Sequence, residues 1–133
     1  MRKHGVTFEA IRRMALALPD VEEGTIYGAQ AFRVRGQMFA CRPSHRSAEP
    51  DSLVVRVDFD RRDGLLAEEP ETYYITDHYV GYTSVLVRLS RIQADAMRDL
   101  LSMAYNFMAA KAPKRPVVRT RRRVGPRVRS GRG

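Results

Sequence analysis

The chain has 133 residues, 44% of them apolar, and a formal net charge of +9. That length allows one domain with at most a terminal extension, and it buries about two-thirds of the unfolded surface, so a core forms without a staple. Cys41 is the only cysteine, which excludes an intrachain disulfide and a cysteine-based metal cluster; no window approaches the ~20 apolar residues of a membrane span, so the expectation is a cytoplasmic protein with no membrane partner.

Met1 to Val6 is a short basic start, expected to fray. Thr7 suits the N-cap of a helix in which Phe8, Ile11, Ala15 and Leu18 share one face and Glu9, Arg12 and Arg13 the other. Pro19 ends that helix. The segment 19–24 reads as a polar connection, and 25–27 as a short first strand. Ala31 to Val34 and Gln37 to Cys41 form a hairpin around Arg35-Gly36. Ser44 to Asp51 is a loop.

Leu53, Val55, Val57 and Phe59 alternate as one face of a strand. Asp60 then caps a short helix through Leu65, Leu66 and Ala67, stopped by Pro70. Thr72 to Leu89 reads as strand, polar aromatic loop, strand, and holds four of the six tyrosines. Its loop carries Asp77, His78, Tyr79 and Tyr82, with Gly81 to let the chain turn. From Gln93, Met97, Leu100, Leu101, Ala104, Phe107 and Met108 make the stripe of a long amphipathic helix, with methionine as adaptable core filling.

Pro113 and Pro116 stop that helix. Residues 111–133 hold ten basic groups and no acid, whereas 1–110 hold 14 basic and 15 acidic residues. The basic character therefore sits in one terminal segment. The expected organisation is a domain over 1–112 and a disordered basic tail over 113–133. Strands grouped between terminal helices predict an α+β two-layer sandwich, with an antiparallel sheet and the N- and C-terminal helices on one face.

Alternation divides the sheet residues. Phe32, Val34, Phe39, Cys41, Val55, Val57, Tyr73, Ile75, Val85 and Val87 are expected toward the helices. Arg33, Arg35, Arg42, Arg56, Tyr74, Leu86 and Arg88 then face away, with Asp58 near the edge. Arginine forks suit phosphate and carboxylate, and tyrosine offers a stacking surface. This set predicts a nucleic-acid or anion surface; the plainer alternative is a solvated face paired with Asp58, Asp60 and Asp77. The tail residues Lys114, Arg115, Arg119, Arg121, Arg122 and Arg123 read as an electrostatic arm for DNA, without base specificity.

Asp77, His78 and Tyr79 raise the possibility of a general base. No Gly-x-Ser-x-Gly elbow accompanies them, and Cys41 has only His45 near it in sequence. The expectation is a non-catalytic protein. His4, His45 and His78 are scattered and no glycine-rich phosphate loop follows a strand, so neither a metal nor a cofactor is expected.

Tyr-x-x-x-Asp-His-Tyr-x-Gly-Tyr over 73–82, followed by Val-Leu-Val-Arg-Leu, resembles the signature segment of the MmcQ/YjbR family. Glu22-Glu23-Gly24 with Tyr27-Gly28, Ala31-Phe32-Arg33-Val34, Met38-Phe39-Ala40 and Val55-Arg56-Val57-Asp58 extend the resemblance over roughly Val6 to Pro113. It implies a frataxin-like (CyaY) sandwich, similar also to a phage "double wing" DNA-binding domain, in small bacterial proteins often labelled DNA-binding. Two positions depart from the family pattern. Thr83-Ser84 stands where an aromatic is common, and Gln37 where a lysine is common. The iron role implied by frataxin likeness needs an acidic first helix, which Arg12 and Arg13 here deny.

The resulting expectation is a non-catalytic DNA-binding protein that uses Arg33, Arg35, Arg56, Tyr74 and Arg88 together with the basic tail. The alternative is a small-molecule or protein-interaction domain, with a cryptic enzyme as its extreme form, using a loop of Tyr27, Asp77, His78, Tyr79 and Tyr82.

Overall fold

The computed structural model describes residues 5–112. The predicted tail, with Lys114, Arg115, Arg119 and Arg121 to Arg123, lies outside the described residues.

Helix α1 (Phe8–Leu16) starts where expected: the Thr7 hydroxyl accepts the Ala10 amide at 3.1 Å. The chain before it is docked from Gly5 onward, because the Gly5 and Val6 amides bond Ile92 O and Leu89 O at 3.0 and 2.9 Å. Six strands follow: β1 (Val21–Ile26), β2 (Ala29–Val34), β3 (Gln37–Cys41), β4 (Ser52–Arg56), β5 (Tyr73–Tyr74) and β6 (Ser84–Arg88). Helix α2 (Phe59–Glu68) lies between β4 and β5, and α3 (Ala94–Ala109) closes the described chain. The strands form one antiparallel sheet in the order β1-β2-β3-β4-β6-β5.

Three boundaries differ from the sequence reading. The polar stretch 21–24 is strand, because β1 is an edge strand and pairs fully with β2 from Val21↔Val34 to Ile26↔Ala29. Helix α2 begins two residues early: the cap is Asp58, whose carboxylate accepts the Arg61 amide at 2.7 Å, and Phe59 is exposed on the helix. Strand β5 stops at Tyr74.

One face of the sheet packs on the helices. Ile11, Phe32, Val34, Phe39, Leu53, Val55, Val85, Met97, Leu100 and Leu101 are essentially fully buried there. Each large side chain of this kind contributes about 1.5–3 kcal/mol through removal from water. Leu65 and Leu66 of α2 pack against the same cluster, so all three helices share that face.

The other face is less open than alternation predicts. Ala31, Cys41, Val54, Tyr79 and Leu86 form a second buried cluster, flanked by Ile26, Met38, Ala48, Tyr74 and Ile75. Cys41 and Ile75 thus lie opposite to their expected side. For Cys41 the cause is a bulge. Phe32 opposes Ala40 but Arg33 opposes Met38, so Phe39 is the extra residue of β3. Phe39 and Ala40 both join the helix-side core, and Cys41 is turned to the far side. The same shift brings Arg42 over to α1, where its guanidinium stacks 4.0 Å above the Phe8 ring. For Ile75 the strand has already ended.

Candidate functional site

The far face is roofed by two loops, 44–51 and 77–83. The first brings His45, the second His78, and their rings stack with centroids 3.7 Å apart. Tyr79 stands edge-on to both rings and is buried. Ser47 Oγ bonds Thr76 Oγ1 at 2.8 Å, a second link between the loops. Helix α2 holds the second loop from outside: Arg62 Nη1 donates to Val80 O at 2.9 Å and Tyr82 O at 3.4 Å.

Beside this roof is a cavity of about 140 Å³ lined by Ile26, Tyr27, Met38, Cys41, Ser44, Val54, Arg56, His78, Tyr79, Tyr82 and Ser84. Ile26, Met38 and Val54 give it an apolar base. Tyr27 comes from the β1–β2 turn, where it and Gly28 have φ of 51° and 81°. Such a turn matches the twist of its strands and projects Tyr27 outward.

Arg56 is the charged group of the cavity. Its Nε donates to Thr83 O at 3.0 Å and its Nη2 to Thr83 Oγ1 at 2.9 Å. Nη1 makes no hydrogen bond, and no carboxylate pairs with Arg56, among the described residues. Burial lowers its pKa, yet a guanidinium stays charged. Burial pushes the Cys41 thiol up to about 11, against the opposing charges of Arg56 and Arg33. Burial also raises Tyr79, opposed by the backbone of His45 and Ser44. His45 is held below its ordinary value by desolvation, then by His78 and Arg46.

The YjbR family model matches residues 16–107, which span the sheet, both cavity loops and most of α3. The chain belongs to the YjbR family. Its relatives include "Uncharacterized protein Rv2570" of Mycobacterium tuberculosis (strain ATCC 25618 / H37Rv) and "Uncharacterized protein Mb2600" of Mycobacterium bovis, each 39% identical over 62 residues. Those matches cover 46% of this chain and 48% of each relative, so the chain spans about half the length of the curated relatives it matches. The crystal structure of Deinococcus radiodurans protein DR2400, with a DUF419 domain, is similar in fold at a TM-score of 0.66 and 22% identity, over 79% of this chain and 80% of that one.

In this YjbR-family chain the predicted site residues separate into two groups. Tyr27, His78, Tyr79 and Tyr82 converge on the cavity, joined by Arg56; Asp77 is in the roof loop but does not line it. The arginines predicted to share a face differ in their partners. Arg88 holds Glu49 with two bonds of 2.9 and 2.8 Å, caps Pro70 O and Glu71 O, and lies over the Tyr74 ring. Tyr74 Oη in turn bonds Ser52 Oγ and the Glu49 amide. Arg33 Nη2 reaches across β1 to Thr25 O at 2.8 Å. Arg35 is exposed in the β2–β3 turn. Of Thr83 and Ser84, the departure from the family pattern, Thr83 holds Arg56 and Ser84 lines the cavity. Met38, Ser44 and Val54 also line the wall; strand alternation puts Met38 and Val54 on this face, whereas Ser44 is brought in by the path of its loop. Among the described residues, no group of three or more His, Cys, Asp or Glu side chains could hold a metal ion. No helix among them is long and apolar enough to cross a membrane.

Proposed function

We propose that this YjbR-family protein is a non-catalytic binding module whose ligand seats in the cavity of Tyr27, Arg56, His78, Tyr79 and Tyr82. One observation carries the reading: Arg56 is half-buried beside four aromatic rings, and among the described residues its Nη1 makes no hydrogen bond and no carboxylate pairs with it. A partly buried charge without a partner costs free energy, so an acceptor oxygen on a ligand would be favoured there. The cavity volume of about 140 Å³ suits one flat ring; an engineered cavity of about 150 Å³ holds benzene.

The state of the groups near the cavity supports the non-catalytic reading. The Cys41 thiol stays protonated at neutral pH. His45 Nδ1 already accepts the Ser47 amide at 3.1 Å and contacts Ser47 Oγ at 2.8 Å, which ties both side chains into a local turn. Neither His45 nor His78 pairs with a carboxylate among the described residues, so neither has the acid partner that orients a general base.

The test is a titration of the whole chain with small planar carboxylates such as benzoate, followed by NMR at the Met38 methyl and the Tyr27 and Tyr82 rings. Saturable shifts that vanish in Arg56→Gln support the reading. An unmoved Met38 methyl for every planar anion refutes it.

DNA binding is the second reading, favoured by the ten basic groups in residues 111–133. Affinity against salt, for the whole chain and for a version ending at Ala112, tests it. Neutralising six phosphates on duplex DNA gives a log–log slope of about −5.

A further inference from the structure

The two tyrosines at the mouth of the cavity differ from the one inside it. Tyr27 is 88% exposed and Tyr82 58% exposed, whereas Tyr79 is 8% exposed. Large exposed aromatic rings beside an apolar cavity form a stacking platform. The polar residues of the lining include Arg56, whose guanidinium only donates, with Ser44, Ser84, His78 and Tyr79 beside it. A fitting ligand is therefore flat, about one six-membered ring in size, with acceptor oxygens on its edge and faces free to stack.

We infer that the cavity receives one unpaired pyrimidine-sized nucleobase, stacked by Tyr27 and Tyr82 and held at a carbonyl oxygen by Arg56. Bases inside a duplex are stacked and paired, so their faces cannot enter such a cavity. The base arrives either in a single strand or as a free nucleotide. This inference rests on the cavity reading given above.

The experiment uses the whole chain with three probes: a fluorescein-labelled twelve-residue oligothymidylate, a duplex of equal length, and thymidine monophosphate. Tyr27→Asn removes the ring while suiting the left-handed turn, and Tyr82→Ala truncates an exposed side chain, so both variants keep the fold. The expected result is that each substitution weakens the single strand at least about fivefold, from the loss of a stacked base, and leaves duplex affinity unchanged. Thymidine monophosphate that shifts the Met38 methyl while the single strand gains nothing over the duplex also supports the inference, with the free nucleotide as source. Equal binding of single strand and duplex, insensitive to both substitutions, with no Met38 shift from the nucleotide, overturns it. In that event a benzoate shift at Met38 keeps the cavity as a ligand site for another class, and its absence removes both readings.

Discussion

The imidazole rings of His45 and His78 stack with 3.7 Å between centroids and 8° between planes. This contact joins the loop after β3 to the loop before β6 and so closes the roof beside the cavity. Neither ring forms a salt bridge with a carboxylate among the described residues. Two imidazolium rings at that separation repel, which gives the stack a pH dependence.

His45 has a folded value below its ordinary 6.5, through desolvation first and then through His78 and Arg46. The unfolded chain therefore binds the proton more readily than the folded one. The stability this contributes is present above about pH 6.5 and is lost as pH falls through the lower folded value. NMR titration of the imidazole protons should show a His45 midpoint below 6.5, and His78→Ala should move it upward. A His45 midpoint at or above 6.5 contradicts the packed stack.

Arg88 is expected to matter for stability and little for binding. It makes a two-pronged pair with Glu49 and two carbonyl bonds, and lies 4.4 Å over the Tyr74 ring. Arg88→Ala should lower unfolding free energy by about 1.5–3 kcal/mol, the range for hydrogen bonds to charged groups. Urea denaturation reads this directly. Lysine should restore only part of the loss, since it lacks the fork.

Cys41 should be inert in the native protein. With the thiol pushed up to about 11 and the side chain buried, little thiolate exists at pH 7.5. Iodoacetamide should label it far more slowly than a free thiol, and at the ordinary rate in urea. Rapid native labelling would reopen the question of a cysteine nucleophile.

The β2–β3 turn makes a backbone prediction. Arg35 and Gly36 have φ of 51° and 82°, and a Cβ added at Gly36 meets nothing within 4 Å. Any cost of Gly36→Ala is then conformational, about 1–2 kcal/mol. Arg35→Asn should instead leave stability level or raise it, because asparagine tolerates this region better. Thermal unfolding of the two variants checks the pair.

Local pattern was sufficient for much of the architecture. Thr7 as a cap, the Arg35-Gly36 hairpin, the Ser84–Arg88 strand and the Ala94–Ala109 helix all follow from residues adjacent in sequence. Their hydrogen bonds or hydrophobic faces repeat within a few positions. The terminal helices on one face of an antiparallel sheet are reachable from the same information, whereas the packing of α2 on that face is not.

The site was only half legible. Tyr27, His78, Tyr79 and Tyr82 could be gathered from the sequence, and they do meet. Assigning Arg56 to them, rather than to an arginine surface with Arg88 and Tyr74, required knowing which groups already had partners. Glu49 takes Arg88, and Thr25 takes Arg33, through contacts between segments far apart in the chain. The bulge at Phe39 is also set by the partner strand, and one extra residue reverses the side of everything after it. The sequence alone determined the elements and the helix-bearing face, because propensity and periodicity are local. Only the tertiary structure decided which arginine is half-buried at the cavity and which loops close beside it, because burial and loop closure depend on distance in space.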